Sequence, residues 1–108
     1  MNIYIIKCNN NKYYIGKSNK LLNRVLEHFE GMGSEWTKLY KPIEIEEVIN
    51  NADPFDEDKY TKKYMTKYGI NNVRGGSYTQ INLDLTTREY LEKEIKGASD
   101  ICYRCGKK

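Results

Sequence analysis

Two short runs near the N-terminus, residues 2 to 8 (NIYIIKC) and 12 to 18 (KYYIGKS), are rich in isoleucine and tyrosine, and three asparagines separate them. Asparagine tolerates the left-handed backbone that tight loops need, so the pattern predicts a strand, a turn and a second strand. From residue 19 to 30 the period changes: Leu21, Leu22, Val25, Leu26 and Phe29 recur at helical spacing, and Gly31 and Gly33 end the run. Residues 34 to 40 (SEWTKLY) suit a short helical turn. Pro42 then opens IEIEEVI, whose alternation predicts a third strand. Asp53 as N-cap and Pro54 in the first turn start a helix that runs to about Tyr68, where Gly69 stops it. NNVRGGSY (71 to 78) reads as a loop with two consecutive glycines. Thr86-Thr87-Arg88-Glu89 reads as a capping box for a last helix ending near Gly97. The chain contains no internal repeat. The fold class expected is α+β: a small three-stranded, mostly antiparallel sheet flanked by helices. Residues 1–97 form the domain, and residues 98–108 form a tail.

Register gives the two tyrosine triplets, Asn2-Ile3-Tyr4 and Tyr14-Ile15-Gly16, a spatial relation. A three-residue Asn9-Asn10-Asn11 loop sets Cys8 opposite Lys12, Ile6 opposite Tyr14 and Tyr4 opposite Gly16. Tyr4 and Tyr14 then share one face as diagonal neighbours, and Gly16 leaves open space above it. On these residues alone, ordinary β propensity is the favoured explanation of the tyrosines. On the first helix, Arg24 and His28 lie one turn apart at the border of the apolar arc, where a side chain can lean over a sheet edge. Glu57 is harder to explain as surface. It falls among Tyr60, Thr61, Tyr64 and Tyr68, and a carboxylate there is compensated either by a metal ion, a cation or a hydrogen-bond network or, as a purely structural residue, by the helix dipole in the first turn. Asp56, by contrast, is accounted for as the capping partner of Asp53.

Composition narrows the class further. The chain has 108 residues, enough for one domain with a modest core. It has 39% apolar residues, ten of the aromatics are tyrosine, and no run is apolar enough to span a membrane. The N-terminus lacks the order of a secretory leader. Three cysteines without framework spacing fit a reducing compartment. A net charge of +3 permits a nucleic-acid partner without requiring one.

Taken in order, Asn2-Ile3-Tyr4, Tyr14-Ile15-Gly16, Arg24, His28, Glu57 and Asn72-Val73 resemble the GIY-YIG nuclease family across most of the chain. GSEWT (33 to 37) and NVRGGSY (72 to 78) look like the branch found in large DNA viruses and some mobile elements. One departure is Asn2, which stands where the family has its first glycine. The resemblance implies metal-dependent hydrolysis of DNA phosphodiester bonds. Glu57 would hold one divalent ion, Mg2+ or Mn2+. Tyr4 or Tyr14 would deprotonate the water, Arg24 would grip the phosphate, and His28 would hydrogen-bond the phosphate or relay the proton. The base is not assigned among Tyr4, Tyr14 and His28. Gly16, Lys17, Ser34, Trp36, Asn72 and Arg74 complete the candidate substrate-binding set. Of these, Trp36 is either a base-stacking platform or a core residue, and Arg74 either contacts phosphate or holds its loop.

Two rival classes are an inactive DNA-binding module of the same fold and a small zinc-associated interaction domain. Loss of Glu57 or Arg24 would mark the first, and both are present. The second needs a full ligand set. Cys102 and Cys105 resemble half of a zinc knuckle, and no second half follows, so a truncated tail is the preferred explanation and no zinc is expected in this chain. DNA is the partner expected, with no membrane association, a monomer as the favoured state, and an intracellular site of action wherever the DNA lies.

Overall fold

The computed structural model describes the backbone of residues 1–107 and the side chains of residues 1–96. Strand β1 (Asn2–Cys8) and strand β2 (Lys12–Ser18) form the hairpin expected. Their register pairs Tyr4 with Gly16, Ile6 with Tyr14 and Cys8 with Lys12. The connecting Asn9–Asn11 is a tight 3-10 turn in which Asn10 and Asn11 adopt positive φ (62° and 58°), the conformation for which asparagine is suited. Strand β3 (Pro42–Ile49) pairs antiparallel with the other edge of β1, with bulges between Ile5 and Ile6 and between Lys7 and Cys8.

The sheet has a fourth strand. Residues Val73–Gly75 (β4), read from sequence as loop, pair parallel with Tyr13, Tyr14 and Ile15 of β2. The sheet is therefore mixed, in the order β3-β1-β2-β4, rather than three-stranded and mostly antiparallel. Three residues ending in Gly75 carry no alternation long enough to signal a strand, and parallel pairing depends on a partner some 60 positions away.

The helices are α1 (Leu21–Phe29), α2 (Glu35–Leu39), α3 (Asp56–Tyr68) and α4 (Leu85–Lys107). Alternation along β1 and β2 sorts the core into two layers. Ile3, Ile5, Tyr13 and Ile15 pack with Tyr64 and Met65 of α3 and Leu91 of α4. Tyr4, Ile6, Cys8 and Tyr14 pack on the opposite face with Val25 of α1 and Trp36 of α2. Each fully buried isoleucine contributes about 1.5–3 kcal/mol.

Several helix ends differ in detail from expectation. Asp53 does accept the Phe55 amide proton, and its own N–H donates to Asp56 Oδ2, yet regular helix begins only at Asp56. The last helix begins at Leu85, and Asp84 rather than Thr86 caps it by accepting from the Thr87 amide. That helix continues past Gly97 to Lys107, so the expected boundary at 97/98 coincides with no break in it. On α1, Val25 is buried while Leu22, Leu26 and Phe29 are exposed, so the apolar arc is only partly covered. The side chains of Cys102 and Cys105 lie outside the described residues. Among the described residues, no helix is long and apolar enough to cross a membrane.

Candidate active site

The site forms where the sheet is thinned by glycines. Tyr4 crosses over Gly16: a Cβ built on Gly16 would stand 2.3 Å from the Tyr4 hydroxyl. The room expected above Gly16 thus exists, and the phenol of Tyr4 fills it. Tyr4 is buried and its hydroxyl lies 2.9 Å from Nε2 of His28, which is fully buried. The ring of Tyr14 lies 4.9 Å from the same imidazole. Gly33 plays a matching part on the far side, since a Cβ there would meet His28 Nδ1 at 2.0 Å.

Hydrogen bonding assigns the imidazole tautomer. The Thr37 hydroxyl donates to the Ser34 carbonyl at 3.1 Å, so its oxygen accepts from His28 Nδ1–H at 2.9 Å. That leaves His28 Nε2 as an acceptor, and the Tyr4 hydroxyl donates to it. Ser34 caps α2 through its hydroxyl, which accepts from the Thr37 amide, and thereby holds Thr37 in place. Burial lowers the His28 pKa to about 4, and Arg24 adds to the effect, so the ring is neutral near pH 7. Burial raises Tyr4 far above the usual phenol range; Tyr14 raises it further, while Arg24 pulls it down. Tyr14 is raised by burial and lowered by Arg24 and Ser34.

Arg24 stands half-exposed at the lip, with Nη1 2.7 Å from Glu27 Oε1. Glu57 approaches from the other face of the sheet. It lies in the first turn of α3, largely buried, with Lys17 Nζ 3.7 Å from its Oε1. Its pKa is raised by burial, pulled down by Lys17 and pushed up by Asp58. Asp58 locks the adjacent loop by accepting from the Ser77 amide (2.8 Å) and the Ser77 hydroxyl (2.9 Å). Glu57 is near enough to raise both Tyr4 and Tyr14, which places the carboxylate and the two phenols in one electrostatic neighbourhood.

Among the described residues, no three His, Cys, Asp or Glu side chains converge as a metal cage. A single carboxylate suits Mg2+, which keeps several waters and binds through few carboxylates plus substrate phosphate. Glu57 fits that habit: it is desolvated, and the half-exposed Lys17 supplies its only close cation among the described residues.

Three of the sequence-derived candidates lie elsewhere. Trp36 is buried, with its indole N–H donating to the Tyr13 carbonyl at 2.9 Å, so it cannot offer a face to a base. Arg74 is also buried and donates to the carbonyls of Gln80, Ile70, Val73 and Ile81, stacked 4.6 Å from the Trp36 ring. It holds its loop rather than a phosphate. Asn72 donates to the Tyr68 carbonyl and accepts from Lys12, at the end of β2 opposite Lys17 and about 16 Å of strand away. Thr37, noted in sequence only as a neighbour of Trp36, proves to be the residue that orients His28. A Ser-x-x-Thr cap three residues apart is the signal that marks it.

The α+β fold thus carries two tyrosines, an arginine, a buried histidine and a lone carboxylate around one glycine-bearing end of its mixed sheet. The chain belongs to the GIY-YIG family: the family model described as GIY-YIG catalytic domain matches residues 1–99. Similar proteins include UPF0213 protein YazA of Bacillus subtilis, 33% identical over 67 residues (59% of this chain, 68% of that protein). UPF0213 protein SERP0126 of Staphylococcus epidermidis is 26% identical over 77 residues (68% and 94%). A UPF0213 protein of Pediococcus pentosaceus is 30% identical over 78 residues (62% and 82%). No solved structure matches the chain.

Proposed function

We propose that the chain is a metal-dependent endonuclease that hydrolyses DNA phosphodiester bonds. The observation that carries this reading is the meeting of two faces of the sheet. Tyr4, hydrogen-bonded to a neutral His28, comes from one face, and the desolvated Glu57 comes from the other. Membership of the GIY-YIG catalytic-domain family supports it.

Glu57 would hold Mg2+ or Mn2+, which when bound polarises the phosphate and stabilises charge on the leaving oxygen. Arg24, at the lip, is free to swing from Glu27 to a phosphate, where its planar fork makes two charge-assisted hydrogen bonds. Tyr4 is a poor base by itself, because burial raises its pKa. As a relay it needs no free phenolate. It takes the proton of the attacking water on its oxygen while passing its own proton to His28 Nε2. Thr37 fixes the ring for that transfer by accepting from Nδ1–H. His28 is the terminal acceptor in this scheme, and the arriving phosphate anion raises its basicity. Tyr14 lacks an equivalent acceptor among the hydrogen bonds of the described residues and is assigned no proton transfer. Lys17, 3.7 Å from Glu57, would balance the carboxylate before a metal binds and would be free to pair with phosphate once one does.

DNA is the proposed partner, the chain acting as a monomer wherever that DNA lies. The viral or mobile-element branch is proposed on the GSEWT and NVRGGSY segments alone, and the relatives named above are bacterial.

The test is nicking of supercoiled plasmid in Mg2+ by the wild-type chain and by Glu57→Gln, with folding checked by circular dichroism. Nicking that vanishes in the variant supports the proposal. Equal nicking by both proteins removes Glu57 from the mechanism. Folded protein that binds plasmid without nicking it turns the reading to an inactive DNA-binding module.

A further inference from the structure

Phe55 is the most exposed large apolar side chain among the described residues, at 85%. It stands in the turn that leads into α3, two residues before Glu57. The turn is held by the Phe55 amide donating to Asp53 Oδ1 at 2.9 Å and the Asp56 amide donating to the Asp53 carbonyl at 2.9 Å. Pro54, with its restricted φ, stiffens the turn further. The phenyl ring is thus displayed on a rigid backbone and packed against little of the fold.

Phe55 forms one wall of an open cleft of about 410 Å3 between α3 and α4, whose other walls include Asp58, Lys59, Lys62, Lys63 and Glu94. The carboxylates of the cleft are occupied: Asp58 accepts from Ser77, and Glu94 pairs with Lys62 at 3.0 Å. Lys59 and Lys63 have no carboxylate partner among the described residues. Both ammonium groups lean on the Tyr60 ring, at 5.7 and 5.2 Å from its centroid, and face solvent side by side. A displayed aromatic face beside two unpaired cations matches one ligand chemistry closely: an unstacked base with its phosphodiester backbone. Duplex DNA hides its base faces and would use the lysines alone.

We propose that Phe55, Lys59 and Lys63 form an accessory subsite for single-stranded nucleic acid, with one base stacked on Phe55 and the backbone running along the lysines of α3. Phe55 and Lys59 each stand two residues from Glu57 along the chain, so the subsite begins at the turn of α3 that carries Glu57, on the solvent side of the helix. It biases the domain toward substrates with an unpaired strand next to the scissile bond. This rests on the nuclease reading for its biological meaning, and its binding test does not depend on catalysis.

The experiment is fluorescence anisotropy of labelled oligothymidylate and of a labelled duplex, in EDTA and at several salt concentrations. The proteins are the wild-type chain, Phe55→Ala, Phe55→Trp and the double variant Lys59→Ala/Lys63→Ala. Phe55→Ala is expected to weaken oligothymidylate binding on the order of tenfold and to leave duplex binding unchanged, with Phe55→Trp restoring it. The double lysine variant is expected to reduce the salt slope for the single strand by about 1.4, or about 0.7 per lost phosphate contact. All three side chains replaced here are at the surface, and equal melting temperatures verify the fold. Unchanged oligothymidylate affinity in Phe55→Ala, equal losses on single strand and duplex, or no single-strand binding by the wild type would each overturn the subsite. Phe55-dependent binding without plasmid nicking would sink the catalytic reading and leave the subsite standing. Nicking with Phe55-independent binding would do the reverse.

Discussion

The Tyr4 hydroxyl donates to His28 Nε2 at 2.9 Å, and both residues are buried between the sheet and the α1–α2 pair. The pair couples the active-site proton to the stability of the fold. His28 is neutral in the folded protein with a pKa lowered to about 4, against 6.5 in the unfolded chain. Between those values the unfolded state binds a proton that the folded state does not. Stability from this residue is therefore complete above pH 6.5 and is lost as pH falls toward 4. The expected difference is on the order of 2–3 kcal/mol. Urea melts at several pH values check it: His28→Gln should flatten the acid limb of the stability curve relative to wild type, whatever its absolute stability.

Glu57 has the opposite sign. Burial raises its folded pKa, so its contribution to stability is present in acid and is lost as pH rises through that folded pKa. The ionised carboxylate is therefore a strained element, relieved by a cation. Mg2+ is expected to raise the melting temperature of the wild type, and Glu57→Gln is expected to be at least as stable as wild type without Mg2+ and insensitive to it. A Mg2+ shift of equal size in both proteins would place the ion elsewhere.

Gly16 serves Tyr4 by lacking a side chain. A methyl group there would lie 2.3 Å from the phenol oxygen, so Gly16→Ala displaces Tyr4 from His28. The expected stability cost is about 1–3 kcal/mol, typical of overpacking. The activity loss should approach that of Tyr4→Phe. Plasmid nicking and thermal melting on both variants separate the two effects, and Gly16→Ala with full activity would show that Tyr4 need not sit over Gly16.

Arg74 carries a structural charge. Its guanidinium donates to four backbone carbonyls while almost fully buried, and burial lowers its pKa to about 10. Arg74→Met leaves those carbonyls unpaired and is expected to destabilise the fold by about 3–5 kcal/mol. If the residue instead contacted DNA, the variant would melt near wild type and bind DNA with a smaller salt slope. Chemical denaturation and a binding isotherm distinguish the two.

Local signals were legible where the chain meets itself within a few residues. The Asn9–Asn11 turn and the alternation on either side determine the β1–β2 register, and with it the position of Tyr4 opposite Gly16. Glu57 stood out because a carboxylate in an aromatic stripe costs free energy that a surface position does not. The cap of the last helix was misplaced by two residues, because Asp84 and Thr86 are both good capping types.

The sequence by itself determined the hairpin, the helical segments and the residue types needed for phosphate chemistry, because those follow from periodicity and side-chain chemistry over short spans. Tertiary structure decided which of the polar and aromatic candidates face solvent. It buried Trp36 and Arg74 against each other, spent Asn72 on a helix end, drew Thr37 onto His28 and added β4 beside β2. Burial and parallel pairing arise from contacts between segments far apart in the chain, and no local pattern encodes which segment will arrive.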